Sequence, residues 1–315
     1  MRFVRRLLVG LVALLAAGYL GLIAYAYWPT GIEEVPARSL AQPGDEFVAV
    51  DGLELRYQTF GAPGDDKPNL VLLHGMANSL QSFRFVAPLL ANDYYVVTVD
   101  IPGFGLSSKP ADFDYRAPNQ ARIIGEFIRA LGIKQTIVGG HSMGGAIAMR
   151  VALTEPEVNG LVVMNPGIIT TGVPAFTRYL PFPFQRMSAK QFGDREFREQ
   201  FLKVSYVDPT IVTDEVMDNL QLATRSEGYL TGTTTMMGQY EEAQEGQMMG
   251  DVDVPVVIVW GEQDRNKTPE ELAALRAGFR NNIVITAADA GHYVHEESPE
   301  LVAKGLVDAK YLWKY

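Results

Sequence analysis

One stretch limits what this chain can fold into more than any other. The apolar, β-branched run Thr136-Ile137-Val138 leads into Gly139-Gly140-His141-Ser142-Met143-Gly144-Gly145, and Ala146 to Leu153 follows with the composition of a helix. A strand, a glycine-flanked serine and a helix are the parts of a nucleophile elbow. The turn is so tight that the serine backbone is strained, and bulk two residues to either side would collide. Gly140 and Gly144 meet that demand, while Gly145 and Ala148 let the helix lie close to the sheet. The helix N-terminus then points free N–H groups and a positive dipole end at the Ser142 hydroxyl.

Such a turn needs a sheet around it. Continuous apolar runs occur at Leu70-Val71-Leu72-Leu73, Tyr95 to Val99, Thr136 to Val138, Leu161 to Met164, Val256 to Trp260 and Ile283 to Ile285. Runs of this kind are strands buried on both faces, as in a parallel sheet. Helical segments are expected at about Ser82–Ala91, Pro118–Leu131, Met143–Leu153, Pro269–Phe279 and Pro299–Leu312. Before them, Phe47–Val50 and Leu53–Thr59 read as a hairpin about Asp51-Gly52, a favoured two-residue turn. Leu53, Leu55 and Tyr57 alternate with Glu54, Arg56 and Gln58, so this edge is expected to be half exposed. The pattern is α/β: a mostly parallel, doubly wound sheet with an antiparallel start. No strong strand lies between Pro166 and Asp253. Phe197, Phe201 and Val204, and Val216, Leu220 and Ala223, recur there at helical spacing, and a structureless loop of that length is improbable. Residues 167–253 are therefore expected to form a helical cap, with residues 45–166 and 254–315 as the core. The 315 residues, 47% hydrophobic and 20% charged, suit an ordinary globular core.

The N-terminus is of another kind. No charge lies between Arg6 and Glu33. Leu7 to Tyr27 as a helix would span about 30 Å, one bilayer core. Tyr19, Tyr25, Tyr27 and Trp28 gather toward its far end like an interfacial belt, and Arg2, Arg5 and Arg6 precede it. Residues 1–28 are thus expected to be a signal anchor with a cytoplasmic N-terminus, 29–44 a linker, and the rest extracytoplasmic. The competing reading is a cleaved signal peptide, since Ala24-Tyr25-Ala26 resembles a small-x-small cleavage site. A formal net charge of −10 argues against a nucleic-acid partner. The absence of cysteine excludes disulfides, thiolate metal sites and a cysteine nucleophile.

A serine hydroxyl needs a base, and the base an orienting acid. The chain has four histidines. His141 adjoins Ser142 and should turn its side chain away. His74 ends a strand in Leu73-His74-Gly75-Met76, and His295 opens a charged segment. His292 alone lies C-terminal to the serine on the loop after the final strand, where open α/β sheets place their sites. The best-placed acid is Asp264 in Trp260-Gly261-Glu262-Gln263-Asp264, with Glu262 as rival. Asp100 is better suited to hold the loop Pro102-Gly103-Phe104-Gly105, and Asp289 is too close to His292 along the chain. The order Ser142…Asp264…His292 then forms a candidate triad. A tetrahedral oxyanion needs two N–H donors, for which the backbones of Met143 and Met76 are the candidates, with His74 fixing the second loop.

These residues together resemble the α/β-hydrolase fold. The resemblance covers about residues 45 to 315. It rests on His74-Gly75, Asp100…Gly103…Gly105, the 139–145 elbow, Trp260 to Asp264, and Gly291-His292 followed by His295-Glu296 and Pro299-Glu300. The serine excludes the aspartate-nucleophile branches. With an N-terminal membrane segment, the set looks most like bacterial lipases and esterases and membrane-anchored monoacylglycerol lipases. The resemblance implies two-step acyl transfer on a small-molecule ester, without metal or organic cofactor. The C–C-bond hydrolases of aromatic catabolism are similar, but their glycine- and proline-rich sequence after His-Gly is replaced here by Met76-Ala77-Asn78-Ser79. Cofactor-free perhydrolases and acyltransferases share the same residues, and a binding protein or idle scaffold on this fold is the reading from another class. An aromatic stretch (Phe176, Tyr179, Leu180, Phe182, Phe184, Met187) and four methionines (Met236, Met237, Met248, Met249) in the cap are expected to line an apolar acyl tunnel.

Overall fold

The computed structural model describes residues 2–64, 67–171, 179, 181–239, 241 and 243–313. Its strands are β1 (Glu46–Val50), β2 (Leu53–Phe60), β3 (Asn69–Leu73), β4 (Tyr95–Val99), β5 (Thr136–His141), β6 (Val158–Met164), β7 (Val256–Gly261) and β8 (Asn282–Ala287). They form one sheet in the order β1-β2-β4-β3-β5-β6-β7-β8. β2 pairs antiparallel with β1 and β4, and all pairs from β4 onward are parallel. The hairpin register sets Val50 opposite Leu53, and Asp51 and Gly52 both carry positive φ, as a two-residue turn of matching twist requires.

The helices are α1 (Arg2–Tyr27), α2 (Val86–Leu90), α3 (Ala117–Ala130), α4 (Met143–Thr154), α5 (Phe184–Gly193), α6 (Arg195–Lys203), α7 (Asp214–Arg225), α8 (Tyr229–Gly238), α9 (Pro269–Gly278), α10 (Val294–Glu297) and α11 (Pro299–Asp308). Side-chain alternation along the strands feeds two cores. Val71, Leu73, Val97 and Val138 pack with Ile123 and Phe127 of α3 and Ile147 of α4. Leu70, Leu72, Val96 and Ile137 pack with Val86 and Leu90 of α2 and Val302 and Leu306 of α11. Helices therefore cover both faces, which is why the strands read as unbroken apolar runs. The helix expected over 82–91 is split instead: Leu80–Phe83 winds as a tight 3₁₀ turn before α2, with Ser82 and Phe83 turned in against His295.

Arg56 departs from the half-exposed edge expected of β2. It is only 1% exposed and pairs with Asp45 at 2.8 Å and Asp100 at 3.2 Å. A residue alternating toward solvent is here covered because the loop after β4 folds over that face and supplies Asp100. The 29–44 segment is docked along the fold rather than hanging free. Val35 N donates to Arg225 O at 2.8 Å, Glu227 N to Val35 O at 2.9 Å, and Leu40 is buried.

Between β6 and β7 the described chain forms α5 to α8. These helices lie over the loops at the carboxyl ends of the strands. Tyr206 stacks on Tyr293 with centroids 4.4 Å apart, Gln239 Nε2 donates to Phe113 O, and the Val207 amide donates to Glu297. The buried stripe of α6 is Arg198 and Leu202, not the expected Phe197, Phe201 and Val204, of which Val204 is exposed. α1 is exposed along nearly all its length and meets the body at its C-terminal end. There Arg186 Nε donates to Ala26 O at 3.1 Å, and Lys190 Nζ donates to Tyr25 O and Trp28 O at 2.9 and 2.8 Å. The cations satisfy carbonyls that a helix end leaves free.

Candidate active site

Ser142 sits where β5 turns into α4, with φ 51° and ψ −118°. This is a left-handed conformation that a side chain adopts only under constraint. Three hydrogen bonds supply the constraint: Ser142 N to Met164 O at 3.1 Å, and Gly167 N and Gly145 N to Ser142 O at 2.8 and 3.0 Å. The close approach explains the glycines. A Cβ on Gly140 would lie 2.1 Å from Gly144 O, and one on Gly144 would lie 2.2 Å from Leu73 O. Ser142 is left half-buried, and its hydroxyl makes no hydrogen bond to a described residue.

The other positions come from neighbouring strand ends. Asp264 follows β7 and His292 follows β8, and His292 Nδ1 lies 2.6 Å from Asp264 Oδ2. A carboxylate only accepts, so Nδ1 carries the proton and Nε2 of the neutral ring has a free lone pair. Asp264 is 7% exposed, while its rival Glu262 is exposed. His141 turns away from the serine, as expected, and its Nε2 bonds His292 O at 2.8 Å. The residue before Ser142 thus holds the loop that carries His292. Gly75 packs against the same turn: a Cβ there would lie 2.8 Å from His141 Nδ1 and 3.2 Å from Ser142 Cβ. The amides of Met76 and Met143 donate to no described residue. His74 is buried, accepts from Ile101 N at 3.2 Å and donates from Nδ1 to Gly75 O, which fixes that loop. Asp100 accepts from Leu80 N and Leu106 N, both at 2.7 Å, and so holds the 102–106 loop.

Residues 68–299 match the family model of the alpha/beta hydrolase fold. The chain belongs to the α/β-hydrolase family. An uncharacterized hydrolase of Bacillus subtilis, YugF, is 30% identical over 262 residues, 82% of this chain and 95% of that one. A 2-hydroxy-6-oxononadienedioate/2-hydroxy-6-oxononatrienedioate hydrolase of Paraburkholderia phymatum is 30% identical over 276 residues, 83% of this chain and 93% of its own. Among solved structures, a membrane phospholipase A matches 96% of both chains with TM-score 0.69 and 25% identity.

In this α/β-hydrolase the sequence did not point to Asn165. It follows β6 with φ 39°, donates from Nδ2 to Asp264 Oδ2 at 2.8 Å and accepts from Gly261 N at 2.8 Å. Asp264 Oδ1 also accepts from Asn266 N at 2.8 Å. Burial acts to raise the Asp264 carboxyl, but the contacts from His292, Asn266 and Asn165 outweigh it and hold it below the ordinary carboxylate value. Burial pushes His141 and His74 below the ordinary imidazole value, and His295 down to about 3.

Above Met76 and Ala77 the α/β-hydrolase body and α5 to α8 enclose a cavity of about 30 Å³, to which Phe192, Arg198, Tyr229, Met236 and Met237 contribute. That is room for roughly one water and not for an acyl chain. A larger open hollow of about 350 Å³, between 112–116 and 238–241, shares no residue with it. Of the residues expected in a tunnel, Met249 packs in the sheet core and Met248 against it. Tyr179 and Phe182 are exposed, Phe182 beside Tyr27 of α1. Phe176 and Leu180 lie outside the described residues.

Proposed function

We propose that this hydrolase cleaves carboxylic esters through a Ser142–His292–Asp264 triad. His292 Nε2 takes the Ser142 proton as Oγ attacks the ester carbonyl. The Met76 and Met143 amides receive the oxyanion. His292 then protonates the leaving alcohol and activates water to release the acid from the acyl-enzyme. Within residues 167–253, α5 to α8 form the cap over this site. The observation that carries the reading is the 2.6 Å bond from His292 to the buried Asp264, on a loop that His141 ties to the serine turn. The contact from Ser142 to His292 is completed when substrate binds, since catalytic hydrogen bonds tighten in the Michaelis complex.

Lipid-like or medium-chain acyl esters are the substrates we favour. α1 carries an uncharged span of membrane length and meets α5 at its C-terminal end, and one structure similar over 96% of the chain is a membrane phospholipase A. We read α1 as an anchor with a cytoplasmic N-terminus and an extracytoplasmic catalytic domain. Ala26, at the end of the possible cleavage site, is fully buried, and Arg186 and Lys190 bind the carbonyls around it. Recovery of a soluble product whose mature N-terminus is Tyr27 would favour the cleaved signal instead. The Paraburkholderia relative keeps C–C bond hydrolysis as the second reading.

The test is the full chain in detergent on a C2 to C16 ester series and on a 2-hydroxy-6-oxo dienoate. Ester turnover with the wild type and its loss by about 10⁴-fold or more in Ser142→Ala is the expected result. Dienoate cleavage without ester turnover overturns it. An ester optimum at C2 with steady decline removes the lipid-ester part.

A further inference from the structure

We propose that Arg198 is a substrate-recognition residue that receives a carboxylate or phosphate group carried by the ester. This rests on the ester-hydrolase reading and narrows its substrate class to anionic esters.

The argument begins with what burial does to a guanidinium. It stays charged at any working pH, and removing it from water costs several kcal/mol unless anions stand beside it. Arg56 meets that condition with Asp45 and Asp100. Arg198, 4% exposed, has no such anion among the described residues. Its Nη1 donates to Leu220 O at 3.0 Å and its Nη2 to Ala77 O. Its Nε is buried without a partner. A guanidinium has five N–H donors, so a fork remains open to an oxyanion. Burial holds Arg198 below its ordinary value; the groups acting the other way are the phenols of Tyr229 and Tyr293, and no carboxylate is among them.

Its position gives the unpaired charge a use. Arg198 borders the cavity above Met76 and Ala77 and is the one charged residue among the described residues lining it. Ala77 O, which it holds, belongs to the residue next to Met76, whose amide is the proposed oxyanion donor. An anion on Arg198 therefore sits close to the scissile carbonyl, on a short spacer. The cavity is too small for that group as it stands. Met236 and Met237 form part of its wall, and unbranched thioether chains reorient readily. An ion pair formed there is strong because the surroundings are apolar.

A residue that merely clamped the loop to the cap would affect every ester alike, so the test uses matched pairs. The full chain in neutral detergent is assayed on 4-nitrophenyl butyrate against mono-4-nitrophenyl succinate. A second pair is 1-butyrylglycerol against 1-butyrylglycerol 3-phosphate. The expected result is a kcat/KM at least tenfold higher for the anionic member of one pair; which pair shows it identifies a carboxylate or a phosphate. Arg198→Gln should erase that preference through KM, with the loss in kcat/KM at least tenfold larger on the anionic member than on the neutral one. Preference for the neutral member in both pairs, or equal loss on both members in Arg198→Gln, overturns the proposal. Should Arg198→Gln fail to fold, Arg198→Lys keeps the charge and removes the fork, and the same criteria apply to it. Failure of the ester reading registers separately, as no turnover on any of the four. The site is then tested by calorimetry with monomethyl succinate and glycerol 3-phosphate. Binding weakened tenfold or more by the variant supports the proposal, and absent or unchanged binding overturns it.

Discussion

The strand-end loops that floor the site and the seam where α5 to α8 cover it treat charge differently. In the floor the two buried acids have partners. Asp264 accepts from His292, Asn165 and Asn266, and Asp100 faces Arg56 and two amides. At the seam two cations lie buried among carbonyls and hydroxyls. Arg198 holds Ala77 O and Leu220 O, and Lys109 holds Ser107 O and Ser226 Oγ at 2.9 and 2.6 Å. Burial pushes Lys109 down to about 8, although Asp100 and Glu34 act the other way. The floor sets its buried acids against cations and amides, which is what a preorganised catalytic group needs. At the seam Lys109 is satisfied by oxygens, while Arg198 keeps a buried Nε without a partner, which suits a surface that completes itself on substrate. Changes in the floor should therefore lower kcat, and changes at the seam should alter KM and substrate preference.

The largest effect that sharpens this contrast is expected from Asp264→Asn. An amide in place of the carboxylate can donate to His292 Nδ1 and select the wrong tautomer, which costs about 10⁴-fold in kcat. Glu262→Gln, on an exposed side chain one turn away, should stay within about twofold, as surface substitutions do. Steady-state kinetics of the two variants on one ester decides it, and the reverse ranking would move the acid to Glu262.

Asn165→Gly comes next. Glycine keeps the positive φ without strain and removes only the amide. Asp264 Oδ2 loses one donor and Gly261 N its acceptor, a loss of about 1–3 kcal/mol in a buried network. The expected result is kcat lower by roughly ten- to a hundredfold with KM unchanged. A change confined to KM would break the division between floor and seam.

Asn165 also marks the limit of what the sequence discloses. The sheet was legible because strands covered on both faces must be apolar throughout, as in Leu70–Leu73 and Val256–Trp260. The elbow was legible because Gly140 and Gly144 are forced by close approach to Gly144 O and Leu73 O. Ser142, Asp264 and His292 stood out as polar residues just past such strands. Asn165 stands just past one too, but Asn-Pro reads locally as a turn, and its partner lies 99 residues on. Arg56 and Arg198 defeated the alternation and helical-spacing arguments for one reason. Their burial is set by distant segments, the loop at Asp100 for one and the loop at Ala77 and helix α7 at Leu220 for the other. Periodicity reports the element's own faces and is silent about what later folds over them. The cap aromatics failed similarly: Phe182 meets Tyr27 of α1, a contact between segments far apart in sequence.

The smallest expected effect per group concerns acid. All four histidines belong to the floor, and three of them, His74, His141 and His295, are buried and held below the ordinary imidazole value of about 6.5. Below pH 6.5 the unfolded chain takes up protons that the folded chain refuses. Stability then rises with pH, so their contribution is whole above 6.5 and is lost as pH falls. For His295 the window extends down to about 3, because burial disfavours its charge and Arg84 and His292 stand nearby. Glu296, raised by burial above its ordinary value, acts in the opposite direction over its own window. Each refused proton contributes a slope of up to about 1.4 kcal/mol per pH unit. Chemical denaturation of the full chain between pH 7.5 and 5 should show stability falling toward acid. His295→Gln should make that fall shallower by up to one proton's slope while leaving the ratio of anionic to neutral ester turnover unchanged. A fall that His295→Gln leaves unchanged would mean that His295 is already charged in the folded chain. A changed ratio would mean that the floor takes part in substrate choice, and the division between floor and seam would fail.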